Sequence, residues 1–380
     1  MKRTFQYRLY PSRTQAEALD FLLWQTRNVY NAGLEQRINT YKETGKGIGY
    51  TAQWTHFRDE RHANPETLGK LNATSVQQTL RRLDKTFSAF FRRVKAGEKP
   101  GFPRFKGRSF FCSMEYTYSD GCKLRTTEGR PMFYVQNVGE IKIKLHRSVP
   151  DDANIKHVIL KRTLGKWYVF LMLDMPDVEP AAHEGPAVGV DVGLSSLLTF
   201  SDGETVENPR WFRGNLKRLR VCQRRTSRRK KGSHRRRKAG RQAAALHDRI
   251  KNQRSDFWHK TTRKAVNNYS LIAIEDLSLG FMRKNPHLAL SASDAGLGMF
   301  RQLLCLKAEN AGCKVVAVNP KNTSQICSGC GQIVPKALSV RVHACSCGLT
   351  LDRDVNAALN ILRLGRSLQA LTRMKQVRVA

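Results

Sequence analysis

Two cysteine pairs, Cys327-x2-Cys330 and Cys345-x-Cys347, stand just upstream of an acidic helix start, Asp352-Arg353-Asp354. Four thiolates at such spacing suit one zinc ion (Zn2+) in a closed structural site. Residues 321–348 are therefore expected to form a metal-stapled knuckle. On an extended strand, residues i and i+2 point the same way, so Cys345 and Cys347 should both reach the ion. His343 is the substitute ligand if they do not. Four good ligands leave no open position for a catalytic zinc, and no βαβ pattern surrounds the C-x-x-C to suggest a redox pair. The remaining cysteines, Cys112, Cys122, Cys222, Cys305 and Cys313, are scattered. An odd total of nine fits reduced thiols in a cytoplasmic protein better than a disulfide framework.

The acidic start after the knuckle has two upstream counterparts. Asp191 lies in Val188-Gly189-Val190-Asp191-Val192-Gly193, and Glu275 ends the apolar run Leu271–Glu275. Magnesium takes hard oxygen ligands, and two such ions clamp the attacking and leaving oxygens of a phosphodiester. Single carboxylates from separate strand ends and a helix start are how such a site is built. One acidic residue at a strand end is usually solvated or ion-paired, but three in three motifs favour a nuclease. The glycines flanking Asp191 are read as clearance for a phosphate. Asp352 is the expected N-cap of the final helix, which leaves Asp354 as the ligand.

The chain carries 67 Lys and Arg against 31 Asp and Glu, a net charge of +36. Such self-repulsion is normally offset by a polyanion, and nucleic acid supplies sequence-independent affinity through its phosphates. The basic residues run from end to end, so a membrane surface is disfavoured. The start, MKRTFQYRLYPS, has no apolar core of a signal peptide. Between Arg210 and Arg241 about half the residues are Lys or Arg and none is acidic. Arg224, Arg225, Arg228, Arg229 and Lys230 in this block are candidate phosphate contacts, although charge runs are often only solvated.

The hydrophobic periods predict an α/β, multidomain protein. Residues 4–10 alternate as a strand, and Ser12 with Gln15 marks a capping box. A helix over 74–95 has the apolar stripe Val76, Leu80, Leu83, Phe87, Phe91 and Val94. After a Pro/Gly hinge at 99–105, strands are expected near 111–118, 139–145, 155–161 and 166–174. A linker follows at 176–186. Then come a strand at Val188, a hairpin turning at Asp202-Gly203, basic helices over 213–266 broken at Gly232-Ser233, and the strand 271–275. A helix near 295–311, a strand at 313–318 and a helix at 353–364 complete the order. The basic tail 367–380 is expected to be disordered. Trp54, Trp211 and Trp258 are candidates for base stacking, or core residues.

Together, G-V-D-V-G, I-E-D-L, C-x2-C…C-x-C-G and D-R-D-V-N-A-A-L-N-I resemble the TnpB family of transposon-encoded RNA-guided nucleases, related to type V CRISPR effectors and Fanzor proteins. R-L-Y-P-S at 8–12, R-N-V-Y-N at 27–31, G-F-P-R-F at 101–105 and L-S-A-S-D-A-G at 290–296 also match, so the resemblance spans about 4–364. It implies a wedge β-barrel over 1–10 and 99–182, with a helical recognition insertion over 11–98. It also implies an RNase H-like RuvC nuclease domain over 183–320 and 349–366, interrupted by the zinc knuckle. By the same resemblance, Asp191, Glu275 and Asp354 are the catalytic, Mg2+-binding residues. Cys327, Cys330, Cys345 and Cys347 hold zinc, though the family more often has two residues between the second pair. Tyr50, Gln77 and Thr117 fall near positions that read a short duplex motif beside the target. The implied activity is RNA-guided cleavage of double-stranded DNA by two magnesium ions. The implied partners are a guide RNA from the protein's own element and target DNA, bound by a protein monomer. A nuclease-dead RNA-guided repressor, a transposase and a plain zinc-finger regulator are the alternatives. The first would lack a carboxylate, and the last leaves G-V-D-V-G and I-E-D-L without purpose.

Overall fold

A computed structural model describes the backbone of residues 2–177, 180–181, 183–277, 279–337 and 339–377. The chain divides into two compact units, Met1–Asp177 and Val178–Ala380. Among the described residues, no helix is long and apolar enough to cross a membrane.

The first unit opens with β1 (Lys2–Tyr10), whose alternation puts Phe5, Tyr7 and Leu9 inside. Burial of each is worth on the order of 2 kcal/mol. Three helices follow: α1 (Arg13–Thr44), α2 (Tyr50–Ala63) and α3 (Ala73–Lys95). The capping box at the start of α1 is present, with Gln15 N donating to Ser12 Oγ at 3.2 Å and Ser12 N donating to Gln15 Oε1 at 3.0 Å. In α3 the stripe holds for Val76, Leu80, Leu83 and Phe87 but fails at its end. Phe91 and Val94 are 54% and 48% exposed, because the core beneath α3 ends before its last turn.

Six strands complete this unit: β2 (Ser113–Thr117), β3 (Cys122–Thr127), β4 (Arg130–Val135), β5 (Gly139–Lys144), β6 (Asn154–Thr163) and β7 (Lys166–Asp174). The sheet runs β2-β6-β7-β1-β5-β4-β3 and is antiparallel throughout. Its edge strands, β2 and β3, are consecutive in the chain and joined only by residues 118–121. So short a link spans at most about 17 Å, so the sheet rolls until its edges approach. The result is a barrel-like wall.

The second unit contains β8 (Ala187–Val192), β9 (Ser196–Phe200) and β10 (Thr205–Glu207), then α4 (Trp211–Ser227) and α5 (His234–Asn268). Next come β11 (Leu271–Glu275), α6 (Leu279–Lys284), α7 (Pro286–Ala295), α8 (Leu297–Ala311) and β12 (Lys314–Val318). The last elements are β13 (Val342–Ala344), β14 (Thr350–Asp352) and α9 (Arg353–Val377). The main sheet is ordered β10-β9-β8-β11-β12, with β8, β11 and β12 parallel. Its core includes Val188, Val190, Ile272, Ile274, Trp258 and Phe300. Trp258 is fully buried and donates its indole N–H to Ala295 O at 2.8 Å, a core role rather than base stacking. Trp211 packs edge-on against Phe257, and Trp54 lies against the core of the first unit. Helix α9 continues through Val377, into the span expected to be a disordered tail, and residues 378–380 lie outside the described residues.

Candidate active site and metal knuckle

Neighbouring parallel strands place Asp191 and Glu275. In their register Ala273 pairs with Gly189 and Ile274 with Val190. One step further along each strand stand Glu275 and Asp191, at the carboxyl ends where open α/β sheets bind ligands. Alternation puts Gly189 and Asp191 on one face and the core valines on the other. Helix α9 lies on that face. A Cβ on Gly189 would stand 2.0 Å from Ala358 O and 2.6 Å from Leu362 N, and a Cβ on Gly365 would stand 2.4 Å from Ala273 Cβ. The clearance reading of the glycines is therefore corrected. Gly189 is small because a helix backbone rests on it, and a Cβ on Gly193 would meet Ser196 O at 2.7 Å. Asp354 is one turn before Ala358, which brings it to the same strand ends.

Each carboxylate is held by its surroundings. Glu275 is buried and accepts from Thr323 Oγ1 at 2.5 Å. Asp352 Oδ1 accepts from the N–H groups of Asp354 and Val355 at 2.8 and 3.2 Å, so the N-cap assignment holds. Burial, then the charges of Glu275 and Asp354, push Asp191 up to about 7. Burial also raises Glu275, and burial with the nearby Asp352 raises Asp354. Mutual repulsion of this kind is relieved by a bound cation, and an all-oxygen donor set suits magnesium. Among the described residues the oxygens do not all approach within 4.8 Å of one another. Ligands spread over two ions about 3.5–4 Å apart need no closer spacing.

One residue at this site gave no sequence signal. Arg341 Nη1 stands 3.9 Å from Asp354 Oδ2, and its Nη2 donates to Ser195 Oγ at 3.2 Å. It comes from the knuckle and carries positive charge to the carboxylates.

In the knuckle, Cys327, Cys330, Cys345 and Cys347 place all four sulfurs within 4.8 Å of one another. Cys327 and Cys347 are 3.7 Å apart, and Cys330 and Cys345 are 3.6 Å apart. A tetrahedron of sulfurs about 2.3 Å from zinc has edges of about 3.8 Å. The extended-strand expectation for Cys345-x-Cys347 is corrected, because the pair sits on a turn. Gly348 N donates to Cys345 O at 3.0 Å, just as Gly331 N donates to Cys327 O at 2.9 Å. Both glycines have left-handed φ, 90° and 81°. His343 is buried outside the four-sulfur set, in contact with Lys336, and is not needed as a substitute. The N–H of Cys330 pulls the Cys327 thiol down to about 5, and the N–H of Cys347 lowers Cys345. For Cys347 the Leu349 N–H favours the thiolate, but neighbouring sulfurs, Cys345 first, push it up to about 12. Four crowded thiols that cannot all ionise fit a divalent cation.

Two asparagines in α9 join the knuckle to the carboxylates. Asn356 Nδ2 donates to Ile326 O at 2.8 Å, and its Oδ1 accepts from Ser328 N at 2.9 Å. Asn360 Nδ2 donates to Thr323 O at 2.9 Å. Thr323 thus ties Glu275 to the helix that carries Asp354.

The candidate nucleic-acid residues fall into two groups. Tyr50 lies under the guanidinium of Arg81, 5.3 Å from the ring centroid. Thr117 N donates to Thr74 Oγ1 at 3.5 Å. Thr74, Gln77 and Arg81 share one side of α3, so Tyr50, Gln77 and Thr117 are brought along a single half-buried edge of the first unit. Arg224 and Arg225 lie in the last turn of α4, with Arg228, Arg229 and Lys230 in the turn after it, all exposed. The buried Asp294 of α7 accepts from Phe212 N at 2.8 Å and Arg213 N at 3.1 Å, supplying the cap that α4 lacks.

Three family profiles match the chain. One described as "Probable transposase" covers residues 170–286, and a Cas12f1-like TNB domain covers 298–361. A third, described as a helix-turn-helix domain, covers 1–46, where β1 and the single helix α1 stand. A Streptomyces pristinaespiralis protein named "Putative RNA-guided DNA endonuclease" is 33% identical over 97% of this chain and 91% of its own length. InsQ of Escherichia coli K12, which bears the same description, is 30% identical over 99% and 96%. The chain belongs to the TnpB family. A TnpB-like protein of Acanthamoeba polyphaga mimivirus, L79, is 34% identical over 35% of the chain and 27% of its own length. The TnpB fold extends to solved structures. Cas12f1, in a complex with guide RNA and target DNA, has a TM-score of 0.56 at 14% identity, covering 95% of this chain and 98% of that one. The Cas-phi3 RNA-guided endonuclease has a TM-score of 0.53 at 9% identity, covering 96% and 92%. These likenesses show that the chain shares the mixed α/β, multidomain fold of those proteins, and its four-cysteine cluster is consistent with a zinc ribbon.

Proposed function

We propose that this protein is an RNA-guided DNA endonuclease that cleaves double-stranded DNA beside a short flanking motif, with Asp191, Glu275 and Asp354 as its catalytic carboxylates. The observation that carries the reading is the register of β8 and β11. It sets two carboxylates side by side at the strand ends, while α9 delivers the third.

Two magnesium ions bound there would supply an activated water and stabilise the leaving oxygen. The protein's own groups do the positioning. Thr323 fixes one oxygen of Glu275, and Asp352 fixes the helix start that carries Asp354. Arg341 offers a guanidinium beside Asp354, suited to a phosphate of the strand being cut. One Zn2+ on the four cysteines holds the knuckle, and through Asn356 and Asn360 keeps Thr323 in place. Guide pairing reads sequence, while the basic surface holds backbones by charge and shape. Tyr50, Gln77 and Thr117 face the flanking motif, where Gln77 can bond adenine in the major groove. The basic turn around Arg228 contacts phosphates.

Cleavage of a plasmid carrying the target, by protein purified with its co-expressed RNA in magnesium, tests the reading. The wild type should linearise the plasmid, and Asp191→Ala should bind it uncut. Cleavage by Asp191→Ala would overturn the site. Joining of labelled transposon ends in place of cutting would favour the transposase reading.

A further inference from the structure

The first unit contains a cavity of about 610 Å³ that the reading above leaves without a role. One wall is the side of α1 carrying Asp20, Trp24 and Arg27, at helical spacing. Arg108, before β2, and the β6–β7 turn form the rest. Trp24 is 47% exposed. Its ring rests on Phe21, with centroids 5.8 Å apart. Leu164 stands on the rim, 42% exposed, in a turn where it has a φ of 52° and Gly165 one of 79°. A leucine in the left-handed region is uncommon, and here it presents an apolar side chain to the cavity mouth.

The charges around the ring are unbalanced. Arg162 Nη1 pairs with Asp20 Oδ2 at 2.8 Å. Arg27 and Arg108 have no ion-pair partner among the described residues, so two guanidinium groups remain uncompensated. Asp20 Oδ1 is screened from solvent and has no hydrogen-bond partner. A small turn of this carboxylate would offer an acceptor to a donor in the cavity. An open aromatic face, two spare cations and one acceptor call for a flat, anionic ligand with a hydrogen-bond donor.

We propose that this cavity holds one unpaired ribonucleotide of a bound RNA. Its base stacks on Trp24, its phosphate meets Arg27 and Arg108, and its 2′-hydroxyl donates to Asp20. A base inside a duplex has both faces covered, so the ligand comes from a single-stranded loop or end. Deoxyribose lacks the hydroxyl that Asp20 would accept from, which makes RNA the occupant rather than DNA.

Full-length protein, stripped of co-purified nucleic acid, is titrated with an unstructured A/C 15-mer as RNA and as DNA. Salt of roughly 0.3 M suppresses binding by backbone charge alone. Trp24→Ala should weaken RNA binding by roughly tenfold, while Trp24→Phe keeps most of it. Arg27→Gln with Arg108→Gln should lower the salt slope by about one to two. Asp20→Asn should narrow the preference for RNA over DNA. Ultraviolet crosslinking of the bound RNA should label the peptide that contains Trp24. RNA affinity of Trp24→Ala within twofold of wild type, or no crosslink on that peptide, overturns the proposal. So does a loss in Trp24→Phe equal to that in Trp24→Ala at unchanged melting temperature. Equal loss of DNA and RNA binding in Trp24→Ala would show that the cavity does not distinguish the two sugars and refute the RNA commitment. The carboxylate variants are read by cleavage and the cavity variants by RNA affinity, so the cavity and the cleavage site fail or stand separately.

Discussion

Gly189 of β8 and Ala358 of α9 touch backbone to backbone, with room for no side chain on the glycine. Gly189→Ala should therefore push α9 off the sheet rather than merely crowd it. Overpacking typically costs about 1–3 kcal/mol, and here the obstacle is a helix carbonyl that cannot rotate away. The expected result is a lower melting temperature of the second unit and loss of cleavage with all three carboxylates intact. Unchanged melting would show that the helix yields.

Asp191→Asn, Glu275→Gln and Asp354→Asn should each reduce cleavage by at least about 1,000-fold and leave nucleic-acid affinity nearly unchanged. Groups that act as one unit are non-additive, so a double variant should be little slower than either single one. Single-turnover cleavage and filter binding on the same preparations check both statements.

The raised Asp191 gives a pH signature to the magnesium-free protein. Unfolded, the carboxyl titrates near its ordinary value of 3.8; folded, it titrates at about 7. Between these values the folded state holds a proton that the unfolded state has lost, so stability falls as pH rises. The contribution is fully present below about 4 and gone above about 7. Melting temperature without added magnesium should drop across this window, and Asp191→Asn should flatten the slope. Magnesium competes with the same proton, so its affinity should rise toward neutral pH.

Metal analysis should find about one zinc per chain. Cys327→Ser or a strong chelator should release it. Because Asn356 and Asn360 bridge the knuckle to α9, the loss should lower the melting of the second unit before the first. A protein that keeps its zinc after Cys327→Ser would show that His343 or another group can replace that thiolate.

Gln77→Ala should leave cleavage of the best flanking motif weakened and its discrimination relaxed at one base pair. A bidentate contact is worth about 1–3 kcal/mol of discrimination, read as a change of about 5-fold to 150-fold across a randomised flanking library. A uniform loss at every sequence would mark Gln77 as a packing residue.

The sequence made some of these relationships visible and hid others. Asp191 and Glu275 end apolar strand runs, so their place on the sheet was readable from alternation. That they are neighbours depends on β8 pairing with β11 across 84 positions, which no local pattern encodes. Helix α2 escaped notice because only Gln53 and Phe57 are buried in it, too few to make a stripe. Strands β3 and β4 were missed because β3 is mostly exposed, although Glu128-Gly129, both left-handed, forms a tight hairpin turn. Phe91 and Val94 show the opposite error: the helical period continues where the core does not. Asn356 and Asn360 looked like ordinary helix residues, and only the bound carbonyls of the knuckle reveal their use.

Helix α9 supplies the third carboxylate from the closing stretch of the chain, after both strands that carry the others. The three carboxylates therefore come together only once α9 has been made and has packed against β8 and β11.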